Sequence, residues 1–274
     1  MKRVCVIGWP IGHSRSPLIH NYWMKKHGIA AVYEKHAVAP QDLADFIASF
    51  SSAGWTGCNV TIPHKETVCA LLEHIDTEAR TLGAVNTLYF DHGALYGTNT
   101  DGEGFVAHLL QSHPSFQISG ANVIVYGAGG AAKAIIGTLL KEHAAAIYII
   151  NRTPEKITSF RTRFGPCIHA CTPQAFQSCS LLINTTSLGM AGQPPLQVDL
   201  AKLDPNAIVA DIVYVPLQTP LLREAAERGH PVLGGLGMLL HQAVRGFELW
   251  FGIRPKVTPE LHDLLVADLV KSMP

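Results

Sequence analysis

The chain has 274 residues, enough for two domains, and its 47 % hydrophobic and 15 % charged residues exclude a disordered protein. Lysine plus arginine equal aspartate plus glutamate at 21 each, so no net field draws in nucleic acid or an anionic membrane, and neither is expected as a partner. No apolar run approaches the ~20 residues of a membrane span, and the opening run Val4-Cys5-Val6-Ile7 is too short for a signal-peptide core, so a soluble cytoplasmic protein is expected.

Short apolar strands alternate with amphipathic stretches, the pattern of an α/β protein with largely parallel sheets. The first strand runs to Ile7 and meets Gly8-Trp9-Pro10, followed by a loop and a helix over residues 17–27. A strand over 31–37 and a helix over 41–50 come next. Gly57 to Pro63 reads as a third strand ending at a proline, with a helix over 64–72. Two short strands, 85–90 and 94–97, flank the turn Asp91-His92-Gly93. A helix over 103–112 follows, and the turn-rich Ser112-His113-Pro114-Ser115 leads into a second domain. There the pattern sharpens: a buried strand over 122–126, a glycine loop over 127–131, a helix over 132–142 and a strand over 146–150. Later strands are expected at 181–184, at 208–213 and around Val232-Leu233, and the chain closes with helices over 238–250 and 259–272.

The six cysteines form no C-x-x-C pair and the 14 histidines no ligand spacing. Cys167, Cys171 and Cys179 around His169 read as free thiols in a reducing compartment, and no metal is expected. The absence of a heptad pattern argues against a coiled coil and leaves monomer and homodimer both open.

The strand, glycine loop and helix over 122–142 form the strongest local motif. A dinucleotide loop needs one glycine for the tight turn, another for close approach of the pyrophosphate, and a small residue where helix meets sheet. Gly127, Ala128, Gly129, Gly130 and Ala131 meet those needs, and the helix that starts there aims its N–H groups at phosphate. At the end of the next strand an NAD site usually carries an acidic residue for the ribose 2′-hydroxyl. Here stand Asn151-Arg152-Thr153, with Lys156 close behind. A guanidinium suits a 2′-phosphate that a carboxylate would repel, so the residues favour NADP.

Polar residues also cluster where a core has no need of them. Ser14-Arg15-Ser16-Pro17 offers two hydroxyls between the first strand and its helix. Asn59 and Thr61 share one face of the third strand, because side chains alternate. Lys65 stands near a helix start, where the dipole disfavours a cation, which suggests a role other than helix stability. Asn86 and the segment Asn99-Thr100-Asp101-Gly102 complete the set. A ketone reduced by hydride leaves an alkoxide that needs a proton donor, and Lys65 with Asp101 could supply and orient one.

Taken together these segments resemble the shikimate dehydrogenase family over nearly the whole chain. The matching runs are Ile11 to Pro17, Asn59 to Glu66, Gly83 to Thr87, Asn99 to Gly102, Gly127 to Ala131, Asn151 to Thr153, Asn184 to Met190 and Leu236 to Gln242. The resemblance implies an N-terminal α/β substrate domain, a Rossmann-type NADP-binding domain, and C-terminal helices that return to the first. The expected boundaries are 1–101, 102–235 and 236–274. It also implies NADPH-dependent reduction of 3-dehydroshikimate to shikimate in aromatic amino acid biosynthesis.

By the same resemblance, Ser14 and Ser16 would bind the substrate carboxylate. Asn59, Thr61, Lys65, Asn86 and Asp101 would hold the ring, with Tyr214 and Gln242 closing the other side. Lys65 and Asp101 would be the catalytic pair. Ile212 and Gly235 would lie against the nicotinamide, and Asn151, Arg152, Thr153 and Lys156 against the 2′-phosphate. Ser16 and Arg152 argue against an enzyme relaxed toward quinate and NAD. Two departures stand out: Lys156 where many members have a second arginine, and Gly234-Gly235 where many have aspartate then glycine. Gly102 and Gly235 read as hinge-like positions for domain closure. Cys58, next to Asn59, reads by default as a buried small residue, with the alternative that a thiol reagent there blocks the cleft.

Overall fold

In the computed structural model, which describes residues 1–271, the chain divides into two compact units. Residues 1–100 and the chain from 240 onward form one, and residues 101–239 the other.

The first unit holds β1 (Lys2–Gly8), α1 (Ser16–Lys26), β2 (Ala31–Ala37), α2 (Leu43–Ala48), β3 (Trp55–Val60), α3 (Lys65–Leu71), β4 (His74–Ile75), α4 (Thr77–Leu82), β5 (Thr87–Asp91) and β6 (Ala94–Thr98). Its sheet runs β2-β1-β3-β5-β6-β4. β1 is parallel to β2 and β3, but β5 is antiparallel to both β3 and β6, so this sheet is mixed rather than largely parallel. For the β5–β6 pair the reason is local: His92 and Gly93 both take positive φ, 47° and 82°, the geometry of a two-residue hairpin loop, and a hairpin forces antiparallel pairing. β4 and α4 escape sequence reading because two and six residues carry no usable period. Asp76 nonetheless caps α4, accepting from the Ala79 N–H at 2.8 Å, and Gly83 ends it at φ 64°.

The second unit holds α5 (Asp101–Ser112), β7 (Asn122–Tyr126), α6 (Gly130–Lys141), β8 (Ala146–Ile150), α7 (Pro154–Phe164), β9 (Ile168–Ala170), α8 (Pro173–Gln177), β10 (Leu181–Asn184), β11 (Ile208–Asp211), α9 (Pro220–Glu227) and β12 (Val232–Leu233). All its strands are parallel, in the order β12-β11-β10-β7-β8-β9. That is the doubly wound Rossmann order. The central strands are apolar apart from their end residues because both faces are covered: Val123, Val125, Ile147 and Ile183 face one core, Ile124, Leu182 and Val209 the other. α7 gave no sequence signal because only Phe160 is buried along its charged length.

α5 begins at Asp101, two residues before the expected start. Gly102 sits in its first turn, where a Cβ would collide with the Thr138 hydroxyl and the Ala134 carbonyl of α6. Gly235 abuts the Ile212 and Val213 carbonyls in the same way. Close packing therefore requires glycine at both positions.

The last helices, α10 (Leu236–Phe251) and α11 (Pro259–Lys271), follow, and Ser272, expected to end the final one, lies outside the described residues. α10 seats on the first sheet through Trp250, whose Nε1 donates to the Leu88 carbonyl at 2.8 Å. Its indole fills the space a Cβ on Gly57 would need. Trp23 of α1 donates to the Lys256 carbonyl at 3.2 Å, fixing the approach to α11.

Candidate active site

In a parallel sheet, ligands collect beyond the carboxyl ends of strands where the winding reverses. In the first unit that point lies between β1 and β3, which are direct neighbours. The loops leaving them are joined: Trp9 N–H donates to the Ile62 carbonyl at 3.0 Å, and Thr61 N–H to the Ile7 carbonyl at 2.9 Å. The loop after β1 carries Ser14 and leads into Ser16 at the first position of α1, and the loop after β3 carries Thr61 and leads into Lys65 at the first position of α3. Topology thus brings two of the predicted polar segments to one end of one sheet.

A buried hydrogen-bond chain holds the floor beneath them. The Asn59 carboxamide accepts from the Tyr33 hydroxyl at 2.6 Å and donates to the Asn86 carbonyl at 3.3 Å and Thr87 Oγ1 at 3.1 Å. The Asn86 side chain donates to Thr100 Oγ1 at 3.1 Å and accepts from the Thr100 N–H at 2.9 Å. Thr100 Oγ1 in turn donates to the Gln242 carbonyl at 2.8 Å. Val85 N–H donates to the Lys65 carbonyl at 2.8 Å. The backbone at Asn86 and immediately before Asp101 is therefore fixed by one connected set of bonds, and that at Lys65 by a separate bond to Val85, the residue before Asn86. Satisfied buried networks of this kind rigidify what they touch.

Tyr33 and His20 were not singled out from sequence, and Thr100 only as part of the segment Asn99 to Gly102. His20 is fully buried with its ring stacked on Tyr33, centroids 4.4 Å apart and planes within 7°. Burial pushes its imidazole down to about 3, only partly offset by Asn59. Cys58 is also fully buried, its Sγ 3.4 Å from that of Cys5, and burial pushes its thiol well up. A buried, protonated thiol is inert, which removes Cys58 as a target for reagents.

In the second unit the winding reverses between β7 and β10, next to the glycine loop. Gly127 has φ 104°, and a Cβ there would sit 2.7 Å from Thr185 Oγ1, so only glycine fits. Gly129 and Gly130 are different: around either one a Cβ would meet nothing within 4 Å. That open space lies at the amino end of α6, whose N-cap is Gly129 itself, and it suits an approaching pyrophosphate. Gly127 N–H donates to the Ile150 carbonyl at 2.9 Å, which sets the loop beside Asn151. Arg152, Thr153 and Lys156 are exposed around the start of α7, with the Asn151 amide donating to the Thr153 carbonyl at 3.0 Å. The residues present fit a dinucleotide with a 2′-phosphate.

Asp211 is a hub that sequence reading passed over. It accepts from Asn184 Nδ2 at 3.0 Å, Val213 N–H at 3.0 Å and Thr219 Oγ1 at 2.7 Å. Burial raises its carboxyl despite those bonds. Asn184 also donates to the Leu188 carbonyl at 2.9 Å. Together they pin the loops leaving β10 and β11, including Ile212 against Gly235. The available signal was an acidic residue ending an otherwise apolar strand. Tyr214, half-buried, lies on the same loop, and Gln242 is buried in α10.

The comparisons with known proteins agree with this layout. The chain matches the shikimate dehydrogenase substrate binding domain over residues 6–88, shikimate / quinate 5-dehydrogenase over 109–186, and the shikimate 5'-dehydrogenase C-terminal domain over 235–259. It is 49 % identical to a shikimate dehydrogenase (NADP(+)) of Nitrobacter winogradskyi, over 98 % of this chain and 97 % of that one. With one of Mesorhizobium japonicum it shares 50 % identity over the same fractions. The solved shikimate 5-dehydrogenase of Thermus thermophilus, in complex with NADP(H) and shikimate, superposes with a TM-score of 0.86 at 31 % identity, covering 98 % of this chain and all of that one. A quinate dehydrogenase of Corynebacterium glutamicum in complex with NAD superposes with a TM-score of 0.88 at 26 % identity, over 97 % and 99 % of the two chains. Matched segments, near-complete coverage and a shared fold lead to one conclusion: this chain belongs to the shikimate dehydrogenase family.

Proposed function

We propose that Lys65 and Asp101 carry the chemistry of an NADP-dependent shikimate dehydrogenase, an oxidoreductase that reversibly reduces 3-dehydroshikimate to shikimate in aromatic amino acid biosynthesis. The observation that supports the assignment of the pair is that the backbone of Lys65 is bonded to Val85, beside Asn86, while the Asn86 side chain bonds Thr100, the neighbour of Asp101. Bound NADPH supplies the hydride. Lys65 donates a proton to the oxygen of the reacting carbonyl, and its charge favours the developing alkoxide. Asp101 orients the ammonium and the neighbouring ring hydroxyl. Ser14 and Ser16 bind the substrate carboxylate, Thr61 and Asn86 the ring, with Asn59 supporting them from the buried floor rather than touching it, and Tyr214 and Gln242 its far side. Gly127 to Ala131 cradle the pyrophosphate, Asn151 to Lys156 hold the 2′-phosphate, and Ile212 and Gly235 face the nicotinamide. The substrate-binding role falls to residues 1–101, the cofactor role to 102–235, and residues 236–274 support the first. All six cysteines are free, which suits the reducing cytoplasm where we place the enzyme. Among the described residues no helix is long and apolar enough to cross a membrane.

Absorbance of the reduced nicotinamide tests the reading. Strong signal with shikimate and NADP alone is expected. Equal rates with quinate or NAD would make it a relaxed enzyme, and no signal with shikimate would overturn the substrate.

The 2′-phosphate reading carries its own prediction. Arg152→Ala should raise KM for NADP by about tenfold, the loss of a charge-assisted contact at an exposed site, and leave the weak reaction with NAD unchanged. Steady-state kinetics with both cofactors checks it. An equal change with NAD would mean that Arg152 does not read the phosphate.

A further inference from the structure

The serine loop after β1 is gripped from two distant parts of the first unit. Lys35 of β2 donates to the Gly12 carbonyl at 2.6 Å. Arg15, flanked by Ser14 and Ser16, sets its Nε 2.6 Å from Asp268 Oδ2 of α11. Arg15 is only 19 % exposed in its side chain and Asp268 44 %, so the pair is partly desolvated rather than a loose surface contact. The Arg15 carbonyl also accepts the Leu18 N–H at 3.0 Å, opening α1, and Ser16 N–H donates to Ser14 Oγ at 3.3 Å. Any shift of Arg15 thus moves both hydroxyls. α11 is itself anchored, with Leu261, Leu265 and Leu269 buried and Glu260 accepting from the Tyr22 hydroxyl at 2.7 Å.

We propose that Arg15 and Asp268 act as a positioning pair, through which the C-terminal helix sets the serine loop for the substrate carboxylate. The proposal rests on Ser14 and Ser16 being that carboxylate site. Pairing with Asp268 also occupies the Arg15 charge, so the substrate meets hydroxyl donors rather than a mobile guanidinium. The two residues touch the substrate only through the loop they hold.

Full-length Asp268→Asn, Arg15→Met, their double variant and Ser16→Ala would be compared by steady-state kinetics and thermal unfolding. The pair predicts that Asp268→Asn raises KM for shikimate about three- to fivefold, with kcat within about twofold and KM for NADP unchanged. Arg15→Met should do the same, and the double variant should be no worse than the poorer single, because both lose one interaction. Arg15→Lys should restore part of the effect. An unchanged KM in Asp268→Asn beside a raised KM in Ser16→Ala would overturn the pairing and leave the serine reading standing. A lowered melting temperature with unmoved KM would reduce the pair to a fold contact and overturn it equally. A raised KM in Arg15→Met but not in Asp268→Asn would mean that the arginine meets substrate directly, again against the proposal. No change in Ser16→Ala would sink the carboxylate site, and the proposal with it.

Discussion

Lys65→Ala is expected to lower kcat by about 10²–10⁴-fold, the usual scale for removing a positioned proton donor, while the protein stays folded. The fold should survive because the residue's structural duties fall on its backbone. Its carbonyl accepts from Val85 N–H at 2.8 Å whatever the side chain, and alanine is the best helix former for the first position of α3. A cation at a helix amino terminus opposes the dipole, so its removal should leave α3 no less stable. Lys65→Arg separates charge from proton transfer: guanidinium keeps the charge but does not give up its proton, so it should recover little of the lost rate. The check is single-turnover kinetics beside circular dichroism. Full turnover in a folded alanine variant would remove Lys65 from the mechanism. A collapsed spectrum would instead make it a structural residue.

The second unit was legible because its physics is periodic. β7, β8 and β10 fall on their expected residues, since strands buried on both faces read as near-continuous apolar runs. The glycine loop was legible because Gly127 answers a steric demand visible as a residue type. Where the signal was aperiodic, it failed. β4 is two residues long, α7 hides one buried phenylalanine among charges, and nothing in sequence tells that β5 joins β3 antiparallel across the intervening α3, β4 and α4. The polar segments could be found individually, as hydroxyls and amides without a core purpose. Their partners could not, because Tyr33 to Asn59 and Asp268 to Arg15 bridge 26 and 253 positions of chain. Only the sheet order and the return of α11 bring such residues together.

His20 is expected to make the protein acid-labile. Its imidazole ordinarily titrates at 6.5, and inside the aromatic stack of Tyr33, Trp23, Phe247 and Trp250 burial lowers it to about 3. Between those values the unfolded chain binds a proton that the folded chain refuses, so stability present above pH 6.5 is lost as pH falls. The loss is about 1.4 kcal/mol per pH unit in that window, or roughly 2 kcal/mol on moving from about pH 7.5 to about pH 5. Other histidines titrate too, so the test is a difference. Urea unfolding of the wild type and of His20→Gln at both pH values should show the wild type losing ~2 kcal/mol more than a variant with nothing to protonate there. Gln should be less stable throughout, because it gives up the stack, but its pH slope should be shallower. Equal slopes would mean that the folded protein already carries His20 charged. A cation in that position would stand against Tyr33 and beside Asn59, and the network beneath Lys65 would then have to accommodate it.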